Sequence, residues 1–204
     1  MEVTEIKRRG KSEAYYLYID GELFDTVMLE IIYKHKIKQG MQITKEQLDI
    51  IKEENDKLTC FNKALAYVSS RLKTEKQMRD YLKKHNYCNS AIDLAINKLK
   101  DYGYINDEYY AKTFSEINSK SKGKLFLKRE LFLKGVSADI IEETVCDIDG
   151  EDACFNIASK WLRGKKLPLE QKDMQKLYRF LISRGFEYEL VKSVVFKLIN
   201  EELE

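Results

Sequence analysis

One pattern of ten residues occurs three times in this chain, and few features constrain a fold more tightly. Met78-Arg79-Asp80-Tyr81-Leu82-Lys83-Lys84-His85-Asn86-Tyr87 aligns without gaps on Leu127-Lys128-Arg129-Glu130-Leu131-Phe132-Leu133-Lys134-Gly135-Val136. Both align on Leu177-Tyr178-Arg179-Phe180-Leu181-Ile182-Ser183-Arg184-Gly185-Phe186, at offsets of 49 and 50 residues. The alignment continues downstream through Ile92, Ile141 and Val191, then Ile96, Val145 and Val195, then Leu99, Ile148 and Leu198. A fixed period of this length marks a repeat architecture, whose units share a core and present an extended surface rather than one deep pocket.

Apolar residues in each unit recur at three and four positions, the helical period. The first unit reads as three helices: one through Phe61, Leu65 and Val68, one opened by the capping box Thr74-Glu75-Lys76-Gln77, and one from Asn89 to Tyr102. In the second, Asn106-Asp107 and Ser137 are N-caps and Gly135 a C-terminal cap. The third begins near Glu151, with Pro168 expected in the first turn of its middle helix and Gly185 at that helix's end.

The N-terminal stretch differs. Glu13–Ile19 and Glu22–Val27 flank Asp20-Gly21, a strong hairpin signal because both turn positions need positive φ. Val3–Arg9 adds a third strand, a short helix is expected over Val27–His35, and Thr44-Lys45-Glu46-Gln47 caps another helix. The expected architecture is mainly α: three tandem three-helix repeats in an elongated array, with a small N-terminal β-hairpin or meander. The expected divisions are 1–57 for the β-containing cap, then 58–106, 107–149 and 150–204.

Chemistry is sparse. No P-loop, G-x-G-x-x-G or G-x-S-x-G motif occurs. The acidic pairs Glu53-Glu54 and Glu142-Glu143 fit solvated helix faces, and His35 and His85 fit polar helix ends. Cys60, Cys88, Cys146 and Cys154 lack ligand spacing, so no metal site is expected; Cys60, Cys146 and Cys154 read as small apolar residues within helices. Neither an enzyme nor a cofactor is expected. Met1-Glu2 opens no signal peptide and no window reaches a membrane span, so the expected location is cytoplasmic.

Thirty-six basic side chains nearly cancel 34 acidic ones, and a net charge of +2 does not mark a duplex-DNA binder. The placement of that charge is more telling. The junction of first and second helices holds Arg71, Lys73 and Lys76 in the first unit, and Lys120, Lys122 and Lys124 in the second. The third holds Arg163, Lys165 and Lys166, aligned only if its junction is longer. Along one edge of a repeat array these nine cations would form a ladder for a polyanion or an acidic protein stripe. Tyr102, Tyr104, Tyr109 and Tyr110 crowd one junction and are read as packing between units.

Several segments resemble the RecX family of regulatory proteins. Ala66–Met78 is similar to its first-repeat signature, Tyr102–Ala111 to its "GY-[IL]-ND-x-x-[YF]-A" segment, and Glu130–Val136 to its "EL-x-x-KG-[IV]" segment. Arg184-Gly185-Phe186 resembles its "RGF", and Tyr18-Ile19-Asp20-Gly21 its β-rich opening. His85-Asn86 departs from the Lys-Gly of the second unit, and Asn86 is expected in the left-handed conformation. The resemblance implies a monomer without cofactor that binds the RecA–DNA filament, with single-stranded or filament-bound DNA as a second contact. It implies inhibition of RecA ATPase and strand exchange, in recombination, DNA repair and the SOS response. Two other readings stay open: a direct DNA binder built of helix-turn-helix-like modules, and a helical scaffold for another protein.

Overall fold

A computed structural model describes residues 1–165 and 169–201. Three strands, β1 (Val3–Arg8), β2 (Ala14–Ile19) and β3 (Glu22–Met28), form an antiparallel sheet in the order β1-β2-β3. The β2–β3 turn forms as Asp20-Gly21 requires, with φ of 50° and 89°. The helix expected over Val27–His35 starts later: Val27 and Met28 pair with Tyr15 and Ala14 in the sheet, and α1 spans Leu29–Lys34. Alternation buries Leu17, Ile19 and Val27 on one face, against Ile31 and Ile32 of α1 and Leu48 and Ile51 of α2 (Lys45–Val68). Asn55 of α2 is 3% exposed; its Oδ1 accepts from Met28 N at 2.9 Å and its Nδ2 donates to Thr26 O at 3.0 Å. A side-chain amide thus satisfies part of the otherwise open edge of β3.

Thr44 caps α2 with the reciprocal box its sequence predicts. The helix then runs 24 residues without interruption, through residue 57, so the cap and the first three-helix unit share it. That unit is completed by α3 (Glu75–Lys84) and α4 (Asn89–Asp101). The second comprises α5 (Asp107–Asn118), α6 (Lys124–Leu133) and α7 (Ala138–Val145), and the third α8 (Glu151–Leu162), α9 (Gln171–Ser183) and α10 (Tyr188–Glu201). Pro168 and Lys166 lie outside the described residues.

Each unit has its own core. Cys60, Met78, Leu82, Ile92, Ile96 and Leu99 fill the first. Leu127, Leu131, Ile141 and Val145 fill the second, and Leu177, Leu181, Val191, Val195 and Leu198 the third. Leu82, Leu131 and Leu181 occupy equivalent positions and are fully buried. The alignment fails at one place. α7 stops at Val145, so Ile148, unlike Leu99 and Leu198, lies beyond its helix and is only half-buried. Asp149 ends that stretch, its carboxylate accepting from Glu151 N at the start of α8 (2.9 Å). Cys146, expected inside an apolar helix face, is therefore an exposed C-cap whose thiol donates to Glu143 O.

The chain divides into two compact units, one of Met1–Leu72 with Met78–Ile105, the other of Lys73–Gln77 with the chain from Asn106 onward.

Candidate functional site

The helix junctions carry the cations, and a recurring contact shapes them within the second compact unit. The start of α3 rests on the end of α6: Thr74, fully buried, accepts from Gln77 N and donates from Oγ1 to Lys134 O at 2.6 Å. One repeat later, the start of α6 rests on the end of α9, where Gly123 N donates to Arg184 O and Leu125 N to Gly185 O, both at 3.0 Å. Thr74 aligns with Gly123 and Lys134 with Arg184, so the two contacts are equivalent. In each, a helix N-terminus, with its unpaired N–H groups and partial positive charge, meets the carbonyl end of the next middle helix. The approach is close. A Cβ on Gly123 would lie 2.2 Å from Gly185 O, and one on Gly135 would lie 2.4 Å from Lys76 Cβ. Asn86 ends α3 in the left-handed conformation, φ 62°, as its sequence predicts.

This packing sorts the eight cations of the nine that lie among the described residues. Lys76 lays its stem against Gly135 and donates its ammonium to Leu133 O at 3.3 Å. Lys124 donates to Cys146 O at 2.9 Å. Both neutralise carbonyl ends of helices, so they hold the fold as well as carrying charge. Lys122 stands 4.4 Å from the centre of the Phe126 ring and Lys165 4.1 Å from that of Trp161, each steered by an aromatic face. Lys73 is half-buried and engaged with a neighbour. Arg71, Lys120 and Arg163 are exposed and make no ion pair among the described residues. Arg71 belongs to the first compact unit, the remaining described cations to the second. There, the Lys73–Lys76 and Lys122–Lys124 junctions sit at opposite ends of α6, whose ten residues span about 15 Å.

α8 ends at Leu162 and α9 begins at Gln171, a longer interval of sequence than those between α2 and α3 or between α5 and α6. One cation escaped the sequence reading: the gap-free alignment carries Lys73 and Lys122 onto Lys172, exposed in the first turn of α9. The tyrosine reading is corrected. Tyr102, Tyr104 and Tyr109 are 65%, 49% and 58% exposed, and only Tyr110 is half-buried, beside Phe114. Tyr102 and Tyr104 meet each other edge to face at 6.4 Å, and Tyr102 meets Phe61 likewise. Spacing alone could not say that the residues on either side of Gly103, at φ 73°, stay exposed.

Other titratable groups serve the fold. Glu54, read as solvated, accepts from Lys34 at 2.9 Å and pairs with His35 at 2.7 Å; Lys34 first and His35 second hold its carboxyl below the ordinary range. Burial pushes the thiols of Cys60 and Cys154 up to about 11. A hydrogen bond from Ser90 draws the Cys88 thiol down. Among the described residues no cluster of three His, Cys, Asp or Glu could hold a metal ion, and no helix is long and apolar enough to cross a membrane.

Models of the first, second and third three-helix domains of RecX match residues 60–99, 106–145 and 149–195. The regulatory protein RecX of Clostridium beijerinckii is 35% identical across 100% of this chain and 98% of its own length. The chain belongs to the RecX family. Its relatives in Clostridium botulinum and Caldanaerobacter subterraneus are 34% and 33% identical over 98% and 96% of the chain. A crystal structure of a regulatory protein RecX superposes with a TM-score of 0.69 over 98% of both chains, at 18% identity, a likeness of fold. RecX from Lactobacillus salivarius superposes at 0.65 over 71% of this chain and 97% of that one, at 25% identity.

Proposed function

We propose that this chain binds the RecA–DNA filament, probing it with the cationic helix junctions, and lowers its ATPase and strand-exchange activities by binding alone. The observation that carries the reading is the repeated junction. Equivalent loops present cations, and in the second compact unit two of them lie one helix length apart, a spacing suited to a polymeric partner. The family name, regulatory protein RecX, points the same way. A net charge of +2 leaves phosphate attraction weak, so a nucleoprotein filament fits better than bare duplex. The reading makes the protein a monomer that works in the cytoplasm, where such filaments form, with filament-bound DNA as a second contact.

The test compares affinity for bare single-stranded DNA with affinity for RecA-coated DNA at one salt concentration. At least tenfold preference for the filament is expected; equal affinity would favour a direct DNA binder, and no binding to either would leave a scaffold for another protein. Charge reversal belongs at Arg71, Lys120, Lys122, Arg163, Lys165 and Lys172, leaving Lys76 and Lys124 to their carbonyls. Reversal should weaken filament binding and flatten its salt dependence, by about 0.7 to 0.9 in log–log slope for each phosphate no longer neutralised. An unchanged affinity and slope would show that the junctions are a solvated edge.

A further inference from the structure

One face of the third unit breaks the repeat in a directed way. In the first unit, Arg79 of the middle helix pairs with Asp93 of the last helix at 2.5 Å. In the second, the equivalent Lys128 pairs with Glu142 at 2.7 Å. In the third, these positions hold Tyr178 and Lys192, and no ion pair bridges α9 to α10 there among the described residues. Instead the two helices flank an open groove of about 670 Å³, lined by Met174, Tyr178, Val195, Phe196 and Ile199, with Lys192 and Glu189 among its polar residues.

The change extends beyond the missing pair. At the positions of Met174, Tyr178, Phe196 and Ile199 the first unit has Glu75, Arg79, Asn97 and Lys100. The second has Lys124, Lys128, Cys146 and Asp149. Four places that are polar or solvated in two units are apolar in the third, and Phe196 stands 67% exposed. Folding does not require this, since the other two units close the same helix pair with charge. An exposed concave apolar surface with an aromatic residue at its lip has the composition of a protein-binding site.

The charges decide what fits. Lys192 has no ion pair among the described residues and occupies the place where the other units hold a carboxylate. A complementary occupant therefore brings a carboxylate to Lys192 and a bulky apolar side chain to the cleft. A phosphate backbone fits poorly, because the lining is apolar and Glu189 stands beside the single lysine. We propose that the α9–α10 groove of the third unit docks an apolar, acid-bearing segment of the filament's protein subunits. The proposal rests on the filament reading and gives it a division of labour, the junctions meeting anionic surface and this groove meeting protein.

The test rebuilds the ion pair of the other units. Tyr178→Arg with Lys192→Asp closes the groove by the same bond that closes it elsewhere, and Phe196→Ser is a second, milder variant. Binding of the labelled full chain to RecA filaments on a thymidine oligomer is followed at several salt concentrations, with thermal melting and sedimentation as controls. Both variants are expected to melt like the parent chain and lose about thirtyfold in filament affinity, the loss typical of a central interface residue. Their affinity for the bare oligomer and their salt slope should be unchanged.

Filament binding equal to that of the parent chain overturns the proposal. So does loss of self-association, with filament binding retained, which would show a second copy as the occupant. Failure of the parent chain itself to bind the filament overturns the filament reading and this inference together. Loss confined to the groove variants, with normal melting, supports it.

Discussion

Replacing Gly185 by alanine tests the contact that ties the second unit to the third. The residue has φ 87°, and a Cβ there would lie 2.3 Å from Phe126 N and 2.4 Å from its Cβ. Two effects act together. A side chain in the left-handed region costs about 1–2 kcal/mol. The clash is with backbone, so α6 must retreat, which strains packing by about 1–3 kcal/mol and weakens two hydrogen bonds worth about 0.5–1.5 kcal/mol each. These effects overlap, and the expected loss is about 4 kcal/mol. Gly164→Ala is the control: its φ is 81°, but nothing among the described residues lies within 4 Å of the added carbon, so the backbone cost of about 1–2 kcal/mol is the expected loss. Trp161, the sole tryptophan, packs at the third core and reports urea unfolding by fluorescence. A Gly185→Ala loss no greater than that of Gly164→Ala would refute the argument that close backbone approach selects glycine there.

Leu82→Ala, Leu131→Ala and Leu181→Ala should each cost about 2–5 kcal/mol in urea unfolding, because all three are fully buried at equivalent core positions. Losses below about 0.5 kcal/mol at all three would disprove the shared register. Glu54→Gln should destabilise the chain at neutral pH and progressively less as acid is added. The folded carboxyl titrates below its unfolded value of 4.5, so its contribution is present above that pH and lost as pH falls through the lower folded value. Urea midpoints at pH 7 and pH 3 check it, and a difference as large at pH 3 as at pH 7 would rule out the ion pairs as its source.

Much of this fold was legible because its rules are local. Asp20-Gly21, the two threonine capping boxes, Asn106, Gly135 and Asn86 each prescribe a backbone state through their own stereochemistry, and each adopts it. The apolar period placed Leu82, Leu131 and Leu181 in three cores for the same reason. The candidate surface was less legible. A lysine has one letter whether it meets water, a helix carbonyl or an aromatic face: Lys76 and Lys124 meet helix carbonyls, Lys165 an aromatic ring, and Lys120 stands exposed.

The chain's period, its caps and its apolar faces determined three helical units and a small sheet. What only the tertiary structure decided is how ends meet and which faces stay open. Thr74 on Lys134 and Gly123 on Arg184 join residues about 60 positions apart, and no local preference encodes which helix end a given N-terminus will find. The outward tyrosines and the uncovered groove beside Phe196 have the same origin. Hydrophobicity says that a side chain gains by burial, but whether a neighbour arrives to bury it depends on the packing of distant segments.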